Sequence, residues 1–525
     1  MARMKHSSTQ KKRINPGIIF VATLLALSLI VAGVWAVMTQ RIHIPGTRSA
    51  EGNGTTLNVA TAVPLASVDM TKHASSAEDA ALDQALLGNV YDTLVGRNAK
   101  NVPDTNGLAE KWTISEDGKT YTFTLRTGMH FSNGDELNAD DVVYSLQQII
   151  QKKYAGSERL SRITNVHGAN ETVTLALSQP DPALLWSLST RAGVVYDSQA
   201  DTSVGSGPYE VSNFEAGKSL TLTVNPRSWR GDVQGSSTVH MTAYTDASTA
   251  VNDLESGKID LILPLANSPA TPNLVAARTK LSQLQNVTIT QTASTRRWAV
   301  ALNNSADSLF SDTHIRQAYR AMLDKNTLLS TLGVSAMPIA GPIASLDPGY
   351  EDYTASYPYS IQQARQLLSF FGYARNMTLV YKQSAGDALP NLLAQQMSAL
   401  GGRITVRAVA DDQWTSEVLE KKNFDMALLD YPDSHDVSNV ADPNNLLQYS
   451  SDTAETDRAA LAAAPTDSAY AEAARTLGSF LAEDTPVLWL YEEQPLVAAR
   501  AGVSGAPGSG ELADSHVSLS GIVKK

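Results

Sequence analysis

The sequence predicts an α/β protein of more than one lobe, with a separate α+β segment and a membrane-spanning helix ahead of both. Three observations predict it. Strand-like alternating segments interleave with helix-like segments over most of the chain. Residues 98–204 are instead dominated by hairpin signals. Residues 18–38 (IIFVATLLALSLIVAGVWAVM) are apolar throughout. At 525 residues and 43% hydrophobic content, the chain exceeds one compact core and divides into two or three domains.

The N-terminus comes first. Residues 1–17 form a basic leader with Arg3, Lys5, Lys11, Lys12 and Arg13 and no acid. No charge occurs between Arg13 and Arg41. At about 1.5 Å per helical residue, the apolar run 18–38 matches a bilayer core of about 30 Å. The basic flank orients the leader to the cytoplasm and sends the body outside. A cleaved signal peptide, cut after Val34-Trp35-Ala36, is the competing reading. Residues 39–54 are polar, with three glycines and one proline, and read as a linker.

Next comes the body. Residues 57–62 alternate and open it as a strand, and 77–91 carry a helical apolar face. Asp117-Gly118 lies between alternating segments and marks a hairpin. Asn133-Gly134 marks a second turn. Asn138 reads as the N-cap of a helix beginning with Asp140 and Asp141. Residues 215–218 turn a third hairpin. Beyond residue 293, strands at 377–381, 404–409 and 424–429 alternate with helices at 361–371, 389–400 and 469–481.

Composition narrows the chemistry. There are no cysteines, so disulfides, thiolate metal sites and cysteine nucleophiles are excluded. The net charge is −12, and setting aside the five basic leader residues leaves 36 basic against 53 acidic residues. An acidic body disfavours nucleic acid as a partner. Gly118-Lys119-Thr120 and Gly217-Lys218-Ser219 lack the earlier glycine of a phosphate loop and sit in hairpin turns. Neither G-x-S-x-G nor H-E-x-x-H occurs. The nine histidines are isolated from one another. The chain therefore reads as a binding protein rather than an enzyme, with no cofactor and no metal site.

Residues 108–149 (LAEKWTISEDGKTYTFTLRTGMHFSNGDELNADDVVYSLQQI) carry LAE-x-W, a D-G hairpin, T-F-x-L-R, G-x-x-F-x-N-G and A-x-D-V-x-x-S in that order. This resembles the extracellular solute-binding proteins of peptide-type ABC transporters, the oligopeptide, dipeptide and nickel receptor family. Gly205-Ser206-Gly207-Pro208-Tyr209, residues 250–260 (AVNDLESGKID) and Arg316-Gln317-Ala318 continue the similarity. Ser67-Val68-Asp69-Met70 departs from the family's S-L-D-P, and its W-x-x-D-x-x-D-P loop is altered at residues 430–436.

The resemblance implies a two-lobed periplasmic-binding-protein-like fold. Lobe I would comprise 55–97, 205–292 and 470–525, the extra α+β domain 98–204, and lobe II 293–469. It implies two lobe crossings, near Gly205–Pro208 and Thr290–Ala293, with Gly205 and Gly207 as hinge candidates through unusual backbone angles or tight packing. In relatives an aspartate after a second-lobe strand binds the ligand ammonium. Here that makes Asp430, Asp433 and Asp436 candidates, with Asp433 foremost because it follows Tyr431. Tyr431 and Trp298 would line the same cleft, and Arg296 or Arg297 would meet the ligand carboxylate. The implied function is a membrane-tethered extracellular receptor on a bacterial cell membrane. It would capture a peptide or other small molecule for an ABC transporter permease. A sensor or scaffold that keeps the fold without transport, and an anchored hydrolase, are the alternatives.

Overall fold

The computed structural model describes residues 55–72, 76–200, 204–265, 267–371, 376–432 and 434–525. The leader, the apolar run 18–38 and Asp433 lie outside the described residues. Among those described, no helix is long and apolar enough to cross a membrane.

Two large sheets organise the body. The first has seven strands in the order Tyr209–Glu215, Ser219–Val224, Thr238–Ala243, Thr56–Thr61, Leu261–Ile262, Leu496–Arg500, Val287–Gln291. Its middle is parallel: Thr56–Thr61 pairs in that sense with Thr238–Ala243 on one side and Leu261–Ile262 on the other. The second has six strands in the order Ala336–Pro338, Val487–Glu493, Arg297–Leu302, Met426–Tyr431, Asn376–Lys382, Arg403–Val409. Here Asn376–Lys382 runs parallel to both neighbours. Each residue of Arg297–Leu302 is buried. Such continuous burial marks a strand covered on both faces.

The hairpin-rich segment holds a four-stranded antiparallel sheet, ordered Ala109–Ile114, Thr120–Leu125, Thr172–Leu177, Ile163–Ala169. Local chemistry explains its turns. Gly118 has φ +66° in the first hairpin and Gly134 has φ +103° in the second turn, angles that favour glycine. Asn138 caps helix Ala139–Lys152, with a reciprocal bond from its own N–H to Asp141. Phe123, Phe131, Leu146 and Leu175 share one core with Leu57, Val59 and Val239 of the first sheet.

The topology corrects two expectations. The chain crosses between the large sheets after Gln291 and again between Glu493 and Leu496. Gly205 and Gly207 lead instead into the edge strand Tyr209–Glu215 of the first sheet. Neither has a positive φ. A Cβ on Gly205 would stand 2.0 Å from the Val90 carbonyl oxygen, and one on Gly207 would stand 2.5 Å from that of Asn89, so close packing is what requires glycine there. The return to the first sheet also comes later than residue 470. Helix Asp467–Asp484 buries Tyr470, Ala474, Leu477 and Leu481 in a core with Val380, Ala427 and Trp489 of the second sheet. The apolar strand Val487–Glu493 then enters that sheet beside Arg297–Leu302.

Candidate ligand-binding cleft

A cavity of about 590 Å³ lies where the two large sheets face each other. The first sheet contributes Thr61, Thr245 and Pro264, each at or just beyond the carboxyl end of a parallel strand. The second contributes Lys382, Asp411 and Asp430 in the same way. Open α/β sheets bind ligands outside the carboxyl ends of their strands, because the loops there are free to vary over a fixed frame. Helix Ser76–Leu86 adds a wall of small residues, Ala77, Ala80 and Ala81, with Gln84 beside them.

The polar floor is built at the crossings. Arg296 donates from Nη1 to Asp430 Oδ2 at 2.5 Å. Trp298 donates its indole N–H to Glu493 Oε1 at 2.8 Å. The Glu493 N–H donates to the Arg296 carbonyl at 2.9 Å, tying the two crossings together. Ser294, fully buried, donates to Asp514 Oδ2 at 2.5 Å. Burial pushes the Glu493 carboxyl up to about 7, against the opposing pull of Arg296 and the Trp298 hydrogen bond. Asp411, Asp430, Glu493 and Asp514 thus face the cavity against two cations, Arg296 and Lys382. The walls carry net negative charge, complementary to an ammonium.

The strand register divides the sequence-derived residues. Trp298 pairs with Asp430, and Arg297 pairs with Tyr431. Neighbours along a strand point to opposite faces, so the pairs separate. Trp298 and Asp430 line the cavity, as does Arg296. Arg297 and Tyr431 face the core on the other side. Arg297 is fully buried and donates from Nη2 to both oxygens of Asp436, at 2.7 and 2.8 Å. It also donates to the Pro342 and Thr295 carbonyls. Burial opposes the charge of Arg297, yet Asp436 and Asp347 hold its pKa above the ordinary value. Tyr431 packs against Trp489 with ring centres 4.9 Å apart, and burial pushes its phenol up. The expected strand 424–429 is observed as Met426–Tyr431, because the ladder to Arg297 continues through Tyr431. Asp430 and Tyr431 therefore belong to the strand rather than to the loop after it.

Glu493, Asp514, Asp411 and Trp414 were not legible as site residues. Glu492-Glu493 closing an otherwise apolar strand was the one usable signal, since acids there need a stated partner.

A second contact joins the hairpin-rich segment to the second lobe. Asn101 donates from Nδ2 to Ser434 Oγ at 2.8 Å and to Asp347 Oδ1 at 3.3 Å. Its Oδ1 accepts from Arg97 and from the Trp186 indole, both at 3.0 Å. His435 stacks between Trp186, at 4.6 Å, and Tyr470, at 5.9 Å.

The family model for bacterial extracellular solute-binding proteins, family 5 (middle region), matches residues 105–456, well over half of the sequence, and the chain belongs to that family. The di/tripeptide-binding protein 2 of Pseudomonas aeruginosa is 24% identical over 386 residues, covering 65% of this chain and 69% of its own. Among solved structures, HbpA2 from Haemophilus parasuis superposes with a TM-score of 0.75 at 17% identity, over 90% of this chain and 100% of its own. The Helicobacter pylori binding protein DppA, solved in complex with the peptide STSA, gives a TM-score of 0.71 at 18% identity, over 90% and 98%. These structural likenesses establish the mixed α/β, two-lobed solute-binding fold. The relatives are named as binding proteins, not as enzymes.

Proposed function

We propose that this protein is a membrane-tethered extracellular receptor that captures a peptide or similar ammonium-bearing solute in the interlobe cavity and passes it to an ABC permease. The observation that carries the reading is the cavity itself, formed at the carboxyl ends of parallel strands from both sheets. Asp430, Glu493 and Asp514 take the ammonium end, and Arg296 takes a ligand carboxylate through its planar fork. Trp298 supplies an apolar wall. Arg297, Asp436 and Tyr431 support the floor from behind. Asp433 stays a candidate on sequence grounds. The apolar run 18–38 holds the body at the membrane, which keeps its concentration near the permease high.

A second reading, a sensor or scaffold without transport, draws support from the direct Asn101–Ser434 contact, which joins the hairpin-rich segment to the second lobe. Native mass spectrometry of purified protein, with release and sequencing of any bound solute, separates the two. A copurified solute that rebinds supports capture. A protein that stays empty in the presence of a peptide library overturns it.

A further inference from the structure

A second cavity, of about 420 Å³, lies behind the C-terminal segment, on residues distinct from those of the cleft. Its walls include Gly88, Gly96, Arg97, Ser189, Arg230 and His516. Arg97 is 9% exposed. Its Nη1 donates to Asn101, and its Nε has no hydrogen-bond partner. Among the described residues no carboxylate comes within the 4.0 Å of an ion pair to this guanidinium. A buried cation without a counter-ion is costly, and native structures supply one. The other charged groups on the wall are already engaged. Arg230 binds Asp92 at 2.7 Å, and Glu511 accepts the Gly508 N–H at 2.7 Å. His516 Nδ1, also buried, has no partner.

We propose that this cavity is a second ligand site, a receptor for the carboxylate of a small organic acid held at the Nη2 end of Arg97. With Nη1 taken by Asn101 and Nε enclosed by the protein, Nη2 is the end left to donate a charge-assisted hydrogen bond to a carboxylate oxygen. The charge of Arg97 supports this: burial lowers its pKa to about 10, and the more distant Asp83 and Asp514 offset this only in part. The site sits one hydrogen bond from the lobe contact, because Asn101 joins Arg97 to Ser434.

The test is thermal unfolding of the full chain in acetate, phosphate and chloride at matched ionic strength. A ligand that binds the native state alone stabilises it saturably. Acetate should raise Tm saturably over chloride in the wild type, and Arg97→Gln should lose that shift. A second variant, Ala99→Glu, places a carboxylate on the cavity wall. It should lose the acetate shift while remaining folded in chloride, which tests the site even if Arg97→Gln does not fold. No saturable acetate response in the wild type, or an undiminished response in either folded variant, overturns the proposal. A response to phosphate without one to acetate overturns the carboxylate assignment.

Discussion

Asn101 and Ser434 stand 333 residues apart in the chain and share a 2.8 Å hydrogen bond between the hairpin-rich segment and the second lobe. Asn101 is saturated there: its amide donates twice, and its carbonyl accepts from Arg97 and Trp186. Asn101→Ala removes these bonds and leaves buried donors unmatched. The expected cost is about 1–3 kcal/mol. The lobes should also separate, giving a larger radius of gyration in small-angle scattering. An unchanged radius in a folded variant would show that this contact does not hold the lobes together.

Arg296 and Arg297 are adjacent, and their substitutions should behave differently. Arg297→Met breaks a buried pair and strands Asp436, at a cost of about 3–5 kcal/mol. Arg296→Met changes a cavity residue and should weaken ligand binding with a smaller loss of stability. Denaturant unfolding and calorimetric titration of both variants would check this. Equal stability losses would contradict the division of faces.

Glu493 gives the cleft a pH dependence. Its folded-state pKa, about 7, lies above the ordinary 4.5. The folded form therefore holds the proton longer, and this group's contribution to stability falls as pH rises from about 4.5 through 7. Binding runs the other way. A cationic solute needs the ionised carboxylate, so affinity should fall as pH drops from 8 to 6, and Glu493→Gln should flatten the profile. A wild-type affinity constant across that range would remove Glu493 from the site.

His435 acts in the opposite sense. Its side chain is 8% exposed, and burial lowers its pKa. The unfolded chain then binds the proton first, so stability declines as pH falls below about 6.5. His435→Phe keeps a ring between Trp186 and Tyr470 and should flatten the decline between pH 6.5 and 5. Thermal melts of the two proteins across that range would show an unchanged slope if His435 were not responsible.

The fold was legible wherever turn chemistry is local. Asp117-Gly118, Asn133-Gly134 and the Asn138 cap each declare themselves within a few residues. The lobe assignment of residues 470–493 was not, because an amphipathic helix states which face it buries but not against which sheet. The site was half legible. Asp430, Trp298 and Arg296 line the cavity between the two large sheets, although Asp430 does so from the strand and not from the loop after it. The pairing of Arg297 with Asp436 depends on strand phase, which a two-residue Arg-Arg run does not reveal. Asp514 approaches the cleft from 220 residues beyond Ser294, and no local pattern announces it.

Capture as proposed requires that the solute occupy the interlobe cavity. Ala81 lies on its wall, half-exposed on helix Ser76–Leu86, where a larger side chain fills space without entering the core. Native mass spectrometry of the wild type and Ala81→Trp, each incubated with the solute released from purified protein, is the decisive measurement. Occupancy of this cavity should give a loaded wild type and an empty, folded Ala81→Trp. Equal loading of both would place the solute elsewhere and contradict it.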